Sequence, residues 1–312
     1  MTAATVHYPP HVEAGIARAR KLEYWTIAWV ATVVPLMALV MGSSQAMKTV
    51  WIEDTLGFIP PLAFLISSHL ERKAPTKAFP FGFDRVNSVA FVISAVALAL
   101  VGAYLLFETA MTLLMQEHAT VGTVRLLGRD IWLGWPMILV LLWSTIPSMI
   151  LGRMKLPIAR TINDKVLHTD AQMQKADWMT GLAAIGGVMG IGFGFWWMDA
   201  AAAGLISFGI LHDGIGGVRA STAELVDGAP RKLEKDEVAD EAEELKRALE
   251  ERFPGAVVRL RETGRVIRAE VEGPPPGPVD LAELWPGDPD RSWRFSQLGF
   301  VPPEAGDLRR GA

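Results

Sequence analysis

Asp170-Ala-Gln-Met-Gln-Lys-Ala-Asp177 leads directly into Trp178–Met198, a run that holds no ionisable residue. A helix needs about 20 apolar residues to cross the hydrocarbon core of a bilayer, so the run reads as a membrane helix with two carboxylates at its mouth. At roughly 3.6 residues per turn, residues seven apart lie about two turns apart on one face. Asp170, Gln174 and Asp177 therefore share a face. An acid near the bilayer centre costs about 2.5–3.5 kcal/mol on insertion scales, so acids kept there face a cavity, an ion or another helix. The stretch makes the chain a candidate for moving a positive species through a membrane.

The rest of the sequence fits that setting. Half of the 312 residues are hydrophobic; they crowd the stretch between residues 24 and 220, and charge crowds the last third. A net charge of −4 supplies no basic stripe, which argues against a nucleic-acid partner. Cysteine is absent, so disulfides and thiolate metal sites are excluded. Met1 to Arg20 is polar and lacks an early apolar stretch, so it does not read as a signal peptide and the first membrane helix must direct insertion. No phosphate loop, nucleophile–base pair or zinc-hydrolase spacing occurs, and nothing points to an enzyme or a bound cofactor.

Six apolar segments stand out, near 24–44, 49–69, 86–114, 131–152, 164–198 (with its polar start) and 200–215. Loop charges orient them. Arg18, Arg20 and Lys21, then Arg72, Lys73, Lys77 and Arg85, then Arg153, Lys155, Arg160 and Lys165 fall on one side; Lys48, Arg125 and Arg129 fall on the other. The positive-inside rule puts both termini in the cytoplasm. The expected fold class is an all-α membrane protein of six transmembrane helices with a small α+β cytoplasmic module. Its parts are a cytoplasmic segment (1–22), the membrane domain (23–230), the module (231–273) and a Pro-rich linker with a partly ordered tail (274–312). In the module, Lys235–Phe253 has helical spacing, and strands are expected over Ala256–Glu262 and Val266–Glu272 around Thr263-Gly264. Its acids read as a solvated face, and so small a unit would gain from pairing with a second copy.

Pro60-Pro61 inside the second segment removes two backbone donors and predicts a broken helix lining a cavity. Gly186, Gly190 and Gly194 in the fifth segment, and Gly204, Gly209 and Gly214 in the sixth, suit close helix approach.

Three pieces resemble the cation diffusion facilitator family of divalent-metal transporters. Phe79-Pro80-Phe81-Gly82-Phe83-Asp84-Arg85 is similar to that family's His-Pro-Tyr-Gly-His-Gly-Arg segment. Leu167 to Asp177 is similar to its fifth-helix start, where Asp-Ala precedes a His-x-x-x-Asp ligand pair. Trp197-Met198-Asp199-Ala200 through Ala223-Glu224-Leu225-Val226-Asp227-Gly228-Ala229-Pro230 is similar to its sixth helix and linker. The likeness runs in order over residues 20 to 272.

The resemblance implies a mid-membrane metal site with two ligands from the second helix and two from the fifth. Asp177 falls on the fifth-helix Asp, Met173 on the His position, Glu53 on the first second-helix position and Gly57 on the other, with Asp54 beside Glu53 able to substitute. The expected metal residues are therefore Asp177, Asp54, Glu53 and Asp170. The family's loop and dimer sites are not expected, since Thr76, Phe79 and Phe83 occupy the loop positions and no histidine follows His212.

The resemblance also implies a homodimer in the lipid bilayer, a multi-pass protein of the bacterial inner membrane, exporting a divalent ion (Mn, Fe, Zn or Co) in exchange for protons. A histidine-free oxygen set favours Mn(II) or Fe(II). Two alternatives stay open: a scaffold or regulatory membrane protein that keeps the fold without transport, and a transporter of another cation.

Overall fold

The computed structural model describes residues 8–41, 45–115, 123–126, 129–192, 197–235, 237–275 and 277–302. Seven helices precede the soluble module: α1 (Pro10–Val40), α2 (Gln45–Leu56), α3 (Ile59–Leu70), α4 (Arg85–Met115), α5 (Gly134–Ile162), α6 (Lys165–Gly192) and α7 (Trp197–Leu225). Among the described residues, four stretches are long and apolar enough to cross a membrane: Pro10–Val40, Val50–Leu70, Arg85–Met115 and Gly134–Ile162. Strands β1 (Thr123–Leu126) and β2 (Arg129–Trp132), which the sequence reading did not anticipate, pair antiparallel between α4 and α5.

Helix α1 begins well before the apolar run that announced it. Pro9 is extended, and Pro10 sits at the first helical position, where a missing N–H costs nothing. Val12, Ile16 and Ala19 on the added turns are buried against Phe64, Phe91 and Ile162, so packing rather than bilayer thickness sets where α1 starts.

The second apolar segment is two helices, as its prolines predict. Gly57 and Phe58 separate α2 from α3, and Pro60 and Pro61 fill the first positions of α3. Neither proline can donate to the carbonyl four residues earlier, so the carbonyls of Leu56 and Gly57 lose their helical donors.

Helices α4 and α7 make the most extensive pairing in the bundle, and glycine makes it possible. A Cβ on Gly102 would stand 2.5 Å from the backbone nitrogen of Leu211, and one on Gly214 would stand 2.5 Å from Cα of Ala99. Both obstacles are backbone, so neither can rotate away. Gly214→Val is expected to lower the thermal unfolding midpoint in detergent, at a cost of about 1–3 kcal/mol or more. An unchanged midpoint would show that the two backbones are not in contact. Gly186 and Gly209 have open space where a Cβ would go, so the small-residue pattern is used at some of its positions and not at others.

The soluble module consists of α8 (Asp240–Arg252), β3 (Val258–Thr263), β4 (Val266–Glu272), a short 3-10 helix (Pro289–Arg294) and β5 (Phe295–Val301). β3 and β4 form a hairpin closed by Gly264, at φ 62°, and Arg265. The module does not stop at Gly273. β5, from the stretch expected to be a partly ordered tail, pairs parallel to β4. Leu245 and Leu249 of α8, Ile267 and Val271 of β4, Trp285 and Phe295 share one buried core. The tail residues Trp285 and Phe295 show no sequence period because they enter this core from a loop and from a strand start.

The module is seated on the helix ends. The Gly264 N–H donates to Ser88 Oγ at 3.1 Å, and Ser88 Oγ donates to Glu224 at 2.5 Å. Arg265 is buried and pairs with Glu71 after α3 and with Asp164 between α5 and α6. Lys165 bridges Glu224 of α7 and Glu262 of β3. Glu262, expected on a solvated face, is buried, and Arg294 also pairs with it. Tyr8 meets Trp293 edge-on, so the start of α1 and the module lie at the same end of the bundle.

Candidate cation site

Two helices bring the acids together. Glu53 and Asp54 stand in the last turn of α2, just before the break at Gly57. That is the negative end of the helix dipole, and the carbonyls freed by the prolines lie beyond it. The location disfavours carboxylates and favours a cation beside them. Both residues are buried.

Asp177 meets them from α6. Its carboxyl and that of Glu53 interact directly, and the charges of Asp54 and, from farther along α6, Asp170 also act on Asp177. Thr180, one turn along α6, donates to Glu53 Oε1 at 3.4 Å, while Glu53 Oε2 is buried without a hydrogen-bond donor. Asp54 turns toward α5, where Ser144 Oγ lies 3.3 and 3.2 Å from its two oxygens. Glycine again sets the approach. A Cβ on Gly181 would lie 2.2 Å from Thr145 Oγ1 and 3.4 Å from Thr145 Cβ, so α5 and α6 are in close contact here and a larger residue would have to turn the threonine hydroxyl aside. Two carboxylates face to face repel unless a proton or a metal ion lies between them.

Asp170 is not part of this group. It pairs with Lys155 of α5, whose Nζ also lies 2.7 Å from Glu23 of α1. All three side chains are buried. Lys155, counted above as a loop charge, is therefore inside the bundle, because α5 continues to Ile162 rather than ending near Gly152. Gln174 sits between the two clusters and donates to Thr26 at 3.2 Å and weakly to Asp170 at 3.5 Å. Met173, at the position of the expected histidine, is buried with Leu98, Val101, Leu105, Ala176 and Ile210, so it packs against α4 and α7.

Among the described residues, no three His, Asp or Glu side chains converge closely enough to hold a metal ion together. The structure thus unites Glu53 and Asp177, keeps Asp54 beside them on Ser144, and leaves Asp170 with Lys155. Sequence reasoning missed Ser144, Thr180, Glu23 and Lys155. Ser144 and Thr180 carry no signal, since hydroxyls are common in membrane helices. Glu23 and Lys155 do carry one: they are charges one or two turns inside stretches that prove helical.

Comparison with known families adds one match. The model of the cation efflux transmembrane domain matches residues 24–226, from the middle of α1 to the end of α7. No curated protein matches the chain. The match covers more than half of the chain and every helix that bears the acids described above, so the chain belongs to the cation efflux family of integral membrane cation transporters.

Proposed function

We propose that the chain is a secondary transporter that exports a divalent metal cation from the cytoplasm in exchange for protons, with Glu53, Asp54 and Asp177 as its binding groups. The observation that carries this reading is the meeting of Glu53 and Asp177 between α2 and α6, with Asp54 adjoining. Carboxylates bind a dication when deprotonated and release it when protonated, so proton and metal compete for the same oxygens. In the conformation described, the pair suits a shared proton. A dication would replace that proton and draw Asp54 from Ser144 to complete an oxygen set.

The cargo follows from the donors. They are carboxylates, hydroxyls and carbonyls, and Met173 is packed elsewhere. Hard, oxygen-preferring ions such as Mn(II) fit this set better than Zn(II) or Co(II), which favour nitrogen and sulfur. With the transport reading go six spans, both termini in the cytoplasm, a bacterial inner-membrane location and a homodimer.

A counterflow panel in proteoliposomes tests the proposal. Mn2+ or Fe2+ on the trans side is expected to drive exchange with lumen alkalinisation or acidification of matching sign, and K+ or an organic cation to drive none. The packing of Met173, at the expected histidine position, against α4 and α7 favours one competitor, a protein that keeps the fold without transport. No exchange with any dication would establish that competitor.

A further inference from the structure

We propose that Glu23, Asp170 and Gln174 form a second cation site inside the bundle, and that the Lys155 ammonium occupies it when no metal ion is present. The inference rests on the transport reading above and extends it to a place that no motif marks.

The two clusters are separate. Asp170 and Asp177 are seven residues apart on α6, about 10 Å along the axis at roughly 1.5 Å per residue, too far to share one ion. The pocket around Lys155 is built from three helices: Glu23 from α1, Lys155 from α5, and Asp170 with Gln174 from α6. Gly152 brings α5 against α6 here, since a Cβ on it would stand 3.3 Å from Cβ of Gln174. Lys155 and Glu23 are 0% exposed, Asp170 1% and Gln174 3%.

A cation is already held there, but it is the wrong size and charge for what surrounds it. Two carboxyl groups face one ammonium, so the set holds one acid more than it has cations. Oxygen capacity is also left over. Glu23 Oε1 and Gln174 Oε1 are buried without a hydrogen-bond partner. A purely structural triad would be expected to satisfy these atoms, because a buried acceptor without a donor costs about 1–3 kcal/mol. A dication in place of the ammonium neutralises both carboxylates and takes up the orphaned oxygens. Carboxylate and amide oxygens form the hard donor set that Mn2+ prefers. Lysine is the residue suited to yield the place, as its charge rides on a flexible four-carbon stem.

The site lies between the Asp177 group and the end of the bundle that carries the soluble module. An ion passing between that end and Asp177 would meet it first. Lys155 then acts as a positioning residue that closes the route behind an ion, and it binds no metal itself.

The test counts bound Mn2+ on the purified full chain by the loss of the free-ion electron paramagnetic resonance signal, in an Asp177→Asn background that disables the first site. Lys155→Met on that background is expected to bind one Mn2+ at least tenfold more tightly than Asp177→Asn alone, and Glu23→Gln added to it is expected to remove that binding. Equal binding with and without Lys155→Met overturns the proposal, as does tight binding that survives Glu23→Gln. Should Lys155→Met not give a monodisperse protein, Lys155→Gln keeps a polar group there and carries the same expectation. Tight Mn2+ binding in this background, together with no dication counterflow by the chain that keeps Asp177, refutes the transport reading and leaves the second site standing.

Discussion

Asp177→Asn is expected to reduce dication-driven flux in proteoliposomes to the level of protein-free vesicles. The carboxyl of Asp177 faces Glu53 from α6 and feels Asp54, so it is the one acid through which both α2 carboxylates meet α6. An amide has nearly the same shape but carries no charge, and it cannot exchange a proton for a metal ion. One charge-assisted contact to a dication is worth several kcal/mol, or about a factor of 100 or more in binding at 1.4 kcal/mol per factor of ten. Thr180→Val is the milder companion. It removes the donor to Glu53 Oε1 while leaving every carboxylate, and a several-fold weakening with flux retained is expected. If Asp177→Asn transports at the wild-type rate, the site lies elsewhere.

Arg265→Ala is expected to release the soluble module from the helix ends. The guanidinium pairs with Glu71 and Asp164, and Asn87 donates to Asp164 at 3.1 Å. Removing it strands two buried carboxylates, and breaking a buried pair in this way costs about 3–5 kcal/mol. Faster proteolysis between α7 and α8 and faster amide exchange in the β3–β4 hairpin would report the release. Arg265→Met combined with Glu71→Gln and Asp164→Asn should recover part of the loss, since no orphaned charge then remains. Protection unchanged in Arg265→Ala would mean that the remaining contacts suffice.

The same interface sets a pH dependence. Glu71 is pushed up to about 7, by burial first, against the opposing pull of Arg265, with Asp164 and Asp84 adding to the rise and Tyr8 close by. Glu262 is likewise pushed up to about 7, by burial first, against Lys165 and with Glu224 adding to the rise; Arg294 and the Arg231 N–H also touch it. A carboxyl whose pKa is higher in the docked state binds a proton on docking. Its contribution is complete below the ordinary value of about 4.5 and is lost as the pH rises through about 7. Docking should therefore loosen between about pH 4.5 and 7, by at most about tenfold per pH unit for each group. Proteolysis that slows with rising pH would contradict this.

These two regions differ in how much of them the sequence reveals. The break near Pro60-Pro61 is legible, because proline geometry leaves a local mark, whereas the meeting of an α2 acid with Asp177 is expected only through the family resemblance. The strand Val266–Glu272 is legible from its alternation, and its bounds in the structure are the same. Lys155 is misread, since a lysine near the end of an apolar run looks like a loop charge until α5 is seen to continue. Glu262 is misread for a related reason, and Arg265 drew no reading. Nothing in a charged hairpin tells that its tip is buried against another domain, where Glu71, Asp164 and Lys165 supply the opposite charges. Phe295–Val301 has no alternating pattern because most of its residues are only half-buried at a sheet edge. Each of these depends on a partner far away in the chain.

The central claim is that α2 and α6 bind one dication between them. Anomalous scattering at the manganese edge from Mn2+-loaded protein tests it most directly. The expected result is a strong peak between α2 and α6, with carboxylate oxygens of Asp177 and of Glu53 or Asp54 at about 2.0–2.6 Å from it. No peak there, with the Asp54 and Asp177 carboxyls more than about 10 Å apart, a gap that such metal–oxygen bonds do not span, would contradict it.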